Sequence, residues 1–525
     1  MAKESNKKNF YDTMCDRALA VYRRCPKRID MAFVLILFAI LLCVRINDIN
    51  IKNQLHSDEV FSLMLSTCNG YYNENIPDGE YSGSELKRMI AVDDIGGVKG
   101  ALHDIAQLWH NNGDAPHASL YYMVLRVALI GFDSFDVHEL AWRGGSVNLL
   151  FFVLSFFLMY KLLRRIYGDR ILLVLAGLAM AFGNWMSIRN TLLIREYQMA
   201  ETGIILLTLI GVNLIIALRK GEVINPRKYL LWFSLTIAYV VSLGYFNAIY
   251  VIFFGAGIMV ACYHYKRKDL IIWLLASGIV AVVVALILYP GFFNFLLHDS
   301  VHKERAFRSV KNIFRYVFVR DIQTQFFTVY GTMFMGVLAL VVVLSKNRIK
   351  LVKSPNFAWI PVIVLVCMFV IMHASLLKMP RYYYSMMPML ALIVPHVISC
   401  VPNSWKGYFE LLVCLYFPII AILFPVRLNY QWKALQHNLN QDTSIYMLNP
   451  NEVVQLIPCV NDTMEYVISN GEYVDIHKDR ATFIVTKNKI GINNDSIRSH
   501  SKLLWGKHIY LYEFNFVRKN AQVAD

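Results

Sequence analysis

Two carboxylates stand side by side in Leu55-His56-Ser57-Asp58-Glu59, just beyond the first long apolar run. At a membrane surface, carboxylates could serve as a general base or hold a metal ion. Three further elements could act on the same substrate. Asp114-Ala115-Pro116-His117-Ala118-Ser119-Leu120-Tyr121-Tyr122 opens a short apolar segment. Arg189-Asn190-Thr191-Leu192-Leu193-Ile194-Arg195-Glu196-Tyr197 lies between two apolar runs, and Lys378-Met379-Pro380-Arg381-Tyr382-Tyr383-Tyr384 precedes another. Arginine grips phosphate through a planar fork of donors. An uncompensated cation beside hydrocarbon is costly, so these arginines are expected to face a polar cavity. His298 and His302 are spaced i,i+4 and would share one face of a helix. With Glu196 they form the set that could hold a divalent metal, the one cofactor these residues could support.

Each element also has a plain structural reading. Ser57 could cap a helix whose first turn favours acids. The tyrosines after His117 could anchor the interface, as could Lys378 to Tyr384. Arg195 could snorkel beside Glu196, and the segment around His298 could be a solvated amphipathic stretch. What separates these readings is whether the fold brings the elements together.

The elements that must do so are membrane spans. The chain has 525 residues, of which 57% are hydrophobic and only 17% charged, against about 25% charged in a soluble domain. Its mean hydropathy is +0.43. Tyr229 to Tyr263 and Ile271 to Phe293 contain no Asp, Glu, Lys or Arg, as spans do and buried cores rarely do. The pattern predicts eleven spans, at about 31–46, 144–163, 171–185, 199–218, 229–243, 247–263, 270–289, 329–345, 358–374, 385–400 and 409–425. A turn at Gly244-Tyr245-Phe246-Asn247 divides the longest charge-free run. With the N-terminus in the cytoplasm, the basic clusters at 161–170, 219–228, 266–268 and 346–353 all fall on one side. Residues 118–131 would reverse that order if they crossed; they carry Arg126 and are read as an interfacial helix.

The expected organisation is therefore a cytoplasmic segment, 1–30, an all-α polytopic membrane domain, 31–426, and a small exported α/β domain, 427–525. The first exported loop, 47–143, carries interfacial helices. Alternation such as Ala481-Thr482-Phe483-Ile484-Val485-Thr486 marks the tail as sheet-forming. The expected location is the inner (plasma) membrane, with the C-terminal domain outside. The first run starts at Met31 after a long basic leader with no small-residue cleavage site, so it reads as a retained span. The formal charge of +15 sits in short clusters between apolar runs, which excludes a nucleic-acid-binding surface. Nine cysteines show no CxxC. Only Cys68 and Cys459 fall clearly outside on this topology, where a disulfide is permitted.

The four elements, in this order, resemble glycosyltransferase family 39 and its protein O-mannosyltransferase relatives in the GT-C superfamily, which include the lipid A aminoarabinose transferases. The resemblance rests on Asp58-Glu59, His117 to Tyr122, Arg195-Glu196-Tyr197, and Arg381-Tyr382 with Pro388. Leu140-Ala141-Trp142-Arg143-Gly144 is similar to the family's entry into its second span. Ala118-Ser119 replaces the family's usual Pro-Pro, and Glu196 stands where many members are apolar. The resemblance implies a GT-C fold and transfer of a sugar from a polyprenyl-phosphate donor to an envelope acceptor (a protein hydroxyl, a lipid or a glycan). It implies inverting single displacement with Asp58 as general base and Glu59 on the acceptor or a metal. His117, Tyr121, Arg195, Tyr197, Arg381 and Tyr382 are the implied donor-binding residues. A transporter or flippase would instead place ionisable residues at mid-span in broken helices. A membrane-anchored binding protein would not need the carboxylate and arginine elements. A lipid-pyrophosphate oligosaccharyltransferase or polymerase is the alternative within the superfamily.

Overall fold

The computed structural model describes residues 25–52, 55–67, 76–89, 96–113, 119–133, 136–290, 357–374, 380–393, 398, 403–425 and 444–448, and stretches between 457 and 514 that include four strands. Helix α1 (Pro26–Asn50) opens the chain, with Pro26 in its first turn, where the missing N–H is harmless. Short helices follow: α2 (Ser57–Thr67), α3 (Gly83–Met89), α4 (Gly97–His110) and α5 (Leu120–Ala128). The nine residues of α5 rise only about 14 Å, too little to cross ~30 Å of hydrocarbon. Arg126 Nε donates to Asp104 Oδ2 at 2.7 Å and fixes α5 on α4, so the arginine that argued against a span has a local partner.

The apolar framework then runs through α6 (Val137–Tyr167), α7 (Ile171–Phe182), α8 (Trp185–Leu192), α9 (Tyr197–Lys220), α10 (Pro226–Val241), α11 (Phe246–His264) and α12 (Lys268–Leu288). After residues outside the described set come α13 (Trp359–Ala374), a 3₁₀ helix (Pro380–Ile393) and α14 (Asn403–Leu423). Among the described residues six helices are long and apolar enough to cross a membrane, or seven if the bent pair α7–α8 counts as one span. Apolar side chains such as Ile252, Val260, Ile279 and Ile287 stay exposed on α11 and α12. In a soluble fold such a surface would be a liability; here it faces lipid. The chain is a multi-pass membrane protein.

Among the described residues most expected spans coincide with helices, and one differs. The span at 329–345 lies outside the described residues. The span expected at 385–400 is the 3₁₀ helix instead, with Pro380 at its start and Pro388 inside it. A proline removes an N–H and clashes with the preceding turn, which disfavours a regular α-helix there. The turn expected at Gly244 is present, with Gly244 at φ 153°, a conformation that side chains rarely adopt.

Among the described residues six strands form one mixed sheet in the order β1-β3-β2-β4-β6-β5, from β1 (Gly79–Ser82), β2 (Ser444–Leu448), β3 (Glu465–Ser469), β4 (Ala481–Thr486), β5 (Ser501–Gly506) and β6 (Tyr510–Phe514). The strand β2 lies parallel to β3 and β4; the other pairs are antiparallel. The edge strand β1 belongs to the first loop, not to the C-terminal segment. It pairs Gly79 with Ile468 and Ser82 with Glu465, and Lys87 Nζ reaches Asp462 at 2.8 Å. One apolar cluster joins Val60, Leu63 and Met64 of α2, Tyr122 and Leu125 of α5, and Ile457, Tyr466 and Ile468. The sheet therefore packs behind the helix that carries Asp58. Cys68 and Cys459 lie outside the described residues.

Candidate active site

Helix α2 starts with His56 as its cap. The N–H groups of Glu59 and Val60 donate to the His56 carbonyl at 2.9 and 3.1 Å, and the Asp58 N–H donates to His56 Nδ1 at 3.1 Å. Glu59 reciprocates: its Oε2 accepts the His56 N–H at 2.7 Å. This is a capping box with histidine in the place usual for Ser or Thr. The arrangement sends the two carboxylates to different partners. Glu59, fully buried, also pairs with Lys52 and accepts the Ile194 N–H at 2.9 Å. Lys52 Nζ donates to the Leu192 carbonyl at 2.7 Å. Separating such a buried pair would strand a charge, so Glu59 ties α2 to the α8–α9 connection, with both of its oxygens engaged within the protein.

Asp58, about 100° further round the helix, keeps a side-chain exposure of 19%. Its carboxylate pairs with Arg381, and its Oδ2 lies 3.4 Å from His56 Nδ1. Arg381 stands at the start of the 3₁₀ helix with its Cζ 5.9 Å from the Tyr382 ring centroid. Tyr382 in turn packs on Phe246, centroids 4.9 Å apart, and Ser385 Oγ donates to Asn247 Oδ1 at 3.0 Å. The turn after Gly244 thus holds the segment that carries Arg381. Burial opposes the Arg381 charge, but neighbouring Tyr197 and Asp58 oxygens outweigh it and hold the guanidinium above its ordinary value.

Arg195 enters from the other side. One terminal nitrogen donates to the Tyr122 hydroxyl at 2.9 Å, to Ser62 Oγ at 3.3 Å and to the Asp58 carbonyl at 3.4 Å. Its Nε lies 3.4 Å from Glu196 Oε2, an ion pair without hydrogen-bond geometry. Close approach of α6 sets this connection: a Cβ on Gly144 would meet Ile194 at 2.6 Å, which gives the glycine of the Leu140–Gly144 element its reason. Asn184 sets the bend between α7 and α8 by accepting the Ser187 N–H at 3.0 Å and donating to Met180 and Ala181 carbonyls. That bend, 56°, presents Arg189, whose Cζ sits 4.9 Å from the Trp185 ring centroid. Below lies a polar layer. Arg45 donates to Thr191 Oγ1 at 3.0 Å, to the Phe182 carbonyl at 2.8 Å and to Ser187 Oγ at 3.0 Å, and Glu201 accepts from Asn190 and Gln198 at 3.0 and 2.8 Å.

Arg189, Arg195 and Arg381 each bury an Nε that has no hydrogen-bond partner. Arg381 and Arg195 face two carboxylates, Asp58 and Glu196, and Arg189 is felt by the neighbouring His56. Buried donors are almost always satisfied, so such a cluster is suited to an anion that brings its own acceptors. Tyr197 lies in the same electrostatic neighbourhood, felt by Arg381. Of the adjacent tyrosines, Tyr122 meets Arg195, whereas the Tyr121 hydroxyl is buried 3.4 Å from Asn148 Oδ1. His117, His298 and His302 lie outside the described residues. Glu196 is engaged by Arg195, and among the described residues no three His, Cys, Asp or Glu side chains are grouped to hold a metal. Lys52, His56, Ser62, Tyr122 and Arg189 complete the site beyond the residues expected from sequence.

His56 gives a pH test. Burial lowers its pKa, Arg381 and Arg189 push the same way, and Asp58 and Glu59 oppose them. Neutral imidazole is also what the cap requires, because Nδ1 must accept. With a lowered folded value, the unfolded chain takes up the proton first, so this contribution to stability is present above 6.5, the ordinary value, and is lost as pH falls through the folded one. The melting temperature of purified full-length protein should fall less steeply between about pH 6.5 and 5 in His56→Asn, which still caps but does not titrate in that range. Equal slopes in the two proteins would remove His56 from this role.

No family model matches the chain, and no curated protein matches it. Among solved structures it is similar to an oligosaccharyltransferase of Archaeoglobus fulgidus in its apo form, at 11% identity and a TM-score of 0.49, over 88% of this chain and 70% of that one. It is also similar to ArnT from Cupriavidus metallidurans in the apo state, at 10% identity and a TM-score of 0.48. ArnT bound to undecaprenyl phosphate gives 9% and 0.46; both ArnT comparisons cover 92% of this chain and 98% of that one.

Proposed function

We propose that this chain is a membrane glycosyltransferase that moves a sugar from a polyprenyl-phosphate donor to a hydroxyl-bearing envelope acceptor at the outer membrane face. The observation that carries the reading is the meeting of Asp58 with Arg381 and Arg195 at the ends of apolar helices, in a cluster with unsatisfied guanidinium donors. A lipid phosphate supplies the acceptors those donors lack, and its tail suits the apolar framework. The acceptor hydroxyl attacks the anomeric carbon while Asp58 takes its proton. The bond from that carbon to the phosphate oxygen breaks, and the phosphate leaves with the electron pair, held by Arg381 and Arg195. One displacement inverts the anomeric centre. Glu59, Lys52 and His56 hold Asp58 in place, and Tyr197 and Tyr382 flank the cations.

The test is release of polyprenyl phosphate by purified full-length protein supplied with polyprenyl-phosphate sugars, alongside mass spectrometry of envelope glycans and glycoproteins from a deletion strain. Sugar-dependent release, and loss of one envelope modification in the strain, are expected. Turnover only of pyrophosphate-linked donors, or an unchanged envelope, would sink the reading. A divalent metal on Glu196, His298 and His302 would add to charge neutralisation; an EDTA arm of the assay, with metal add-back, reads that contribution directly.

A further inference from the structure

The residue read as the base and the residue read as the phosphate ligand are bound to each other. Asp58 and Arg381 form a direct ion pair, their side chains 19% and 18% exposed. Arg381 is engaged through a terminal nitrogen, while its Nε is buried without a hydrogen-bond partner. The guanidinium thus holds one anion on a terminal nitrogen and offers an unused donor on its other edge. A phosphate gripped end-on, through both terminal nitrogens, would need the position that the carboxylate occupies, and one gripped through Nε would still share the same cation with it. Two anions on one part-buried cation repel one another, and the second carboxylate nearby, Glu196, is already engaged by Arg195.

We propose that Asp58 also occupies the phosphate position on Arg381 when no lipid phosphate is bound, and that by returning there it expels the spent carrier. The inference rests on the reading of Arg381 as a phosphate ligand. Donor binding moves the carboxylate off Arg381 and frees it to face the acceptor. During transfer Asp58 takes the acceptor proton and becomes neutral, while the departing phosphate gains a negative charge, so the pair is compatible and the carrier stays bound. When Asp58 passes its proton to water, a carboxylate stands beside a phosphate dianion. Competition for Arg381 then drives the lipid phosphate out. Base regeneration and carrier release become one event, and the free base is exposed only in the donor complex.

The experiment measures binding of undecaprenyl phosphate to full-length protein in nanodiscs near neutral pH. Asp58→Asn and Asp58→Ala should each bind about tenfold more tightly than the wild type and release more slowly, since a competitor for the cation has gone. Asp58→Ala guards against an asparagine amide that merely replaces the carboxylate as a partner of Arg381. In an Arg381→Ala background, adding Asp58→Asn should change affinity little. Saturable wild-type binding with equal or weaker binding by both Asp58 variants would overturn the proposal and leave the phosphate reading standing. The same tightening in the Arg381→Ala background would also overturn it, because the effect would then be general loss of negative charge. No saturable binding by any variant would overturn both readings.

Discussion

Asp58→Asn is expected to lower turnover with a purified polyprenyl-phosphate sugar by at least about 10²-fold, the scale of a lost general base. The substitution keeps the shape of the side chain. It leaves untouched the backbone N–H that His56 caps, the Glu59–Lys52 pair and the packing of α2. The ion pair with Arg381 is lost, but the amide oxygen can still accept from that guanidinium, so the melting temperature should fall by only a few degrees, about 1 kcal/mol, and by less than in Arg381→Ala. Because affinity for the carrier is expected to rise, the loss must appear in the chemical step: single-turnover rates fall while occupancy by the donor does not. Glu59→Gln has the opposite signature. Its carboxylate meets Lys52 and two backbone N–H groups, so stability drops first. Wild-type turnover in Asp58→Asn would move the base elsewhere, and Glu196, the other carboxylate beside Arg195, is next in line.

How much of this is legible in the sequence follows from the period of each signal. Charge-free runs and basic clusters are long-range and redundant, so the apolar helices appear where expected, from Pro26–Asn50 to Asn403–Leu423. The 3₁₀ helix escapes such a reading because Pro380 and Pro388 act on backbone hydrogen bonds that hydropathy does not sense. Neighbouring residues are harder to assign. Asp58 and Glu59 share a motif, yet helical geometry sends one to Arg381 and the other to Lys52; Tyr121 and Tyr122 divide in the same way. Spacing alone cannot choose between positions i and i+1 until the helix phase is fixed. His56 carries a usable signal, because Glu at the third position after a cap is the capping-box pattern. The strand at Gly79–Ser82 is out of reach. Four residues in a loop do not reveal that their partner lies far along the chain, at Glu465–Ser469.

Arg381→Ala is expected to abolish measurable transfer by weakening donor binding and transition-state stabilisation together. Truncating one partner of a desolvated charge pair costs about 2–5 kcal/mol, and here the loss is felt twice over the cycle. In the free protein, part-buried Asp58 loses its counterion; in the complex, the departing phosphate loses a cation just as its charge grows. Arg195 cannot take over alone, because one of its terminal nitrogens is committed to Tyr122, Ser62 and the Asp58 carbonyl. Arg381→Lys restores the charge without the planar fork that spans two phosphate oxygens. Its ammonium can still pair with Asp58, so the melting temperature should recover more fully than the rate. That divergence is the informative outcome: recovery of stability without recovery of kcat/KM assigns Arg381 to phosphate, whereas parallel recovery of both would mean that its work is to hold Asp58 and the 3₁₀ helix in place. Full activity in Arg381→Ala would remove it from the site altogether.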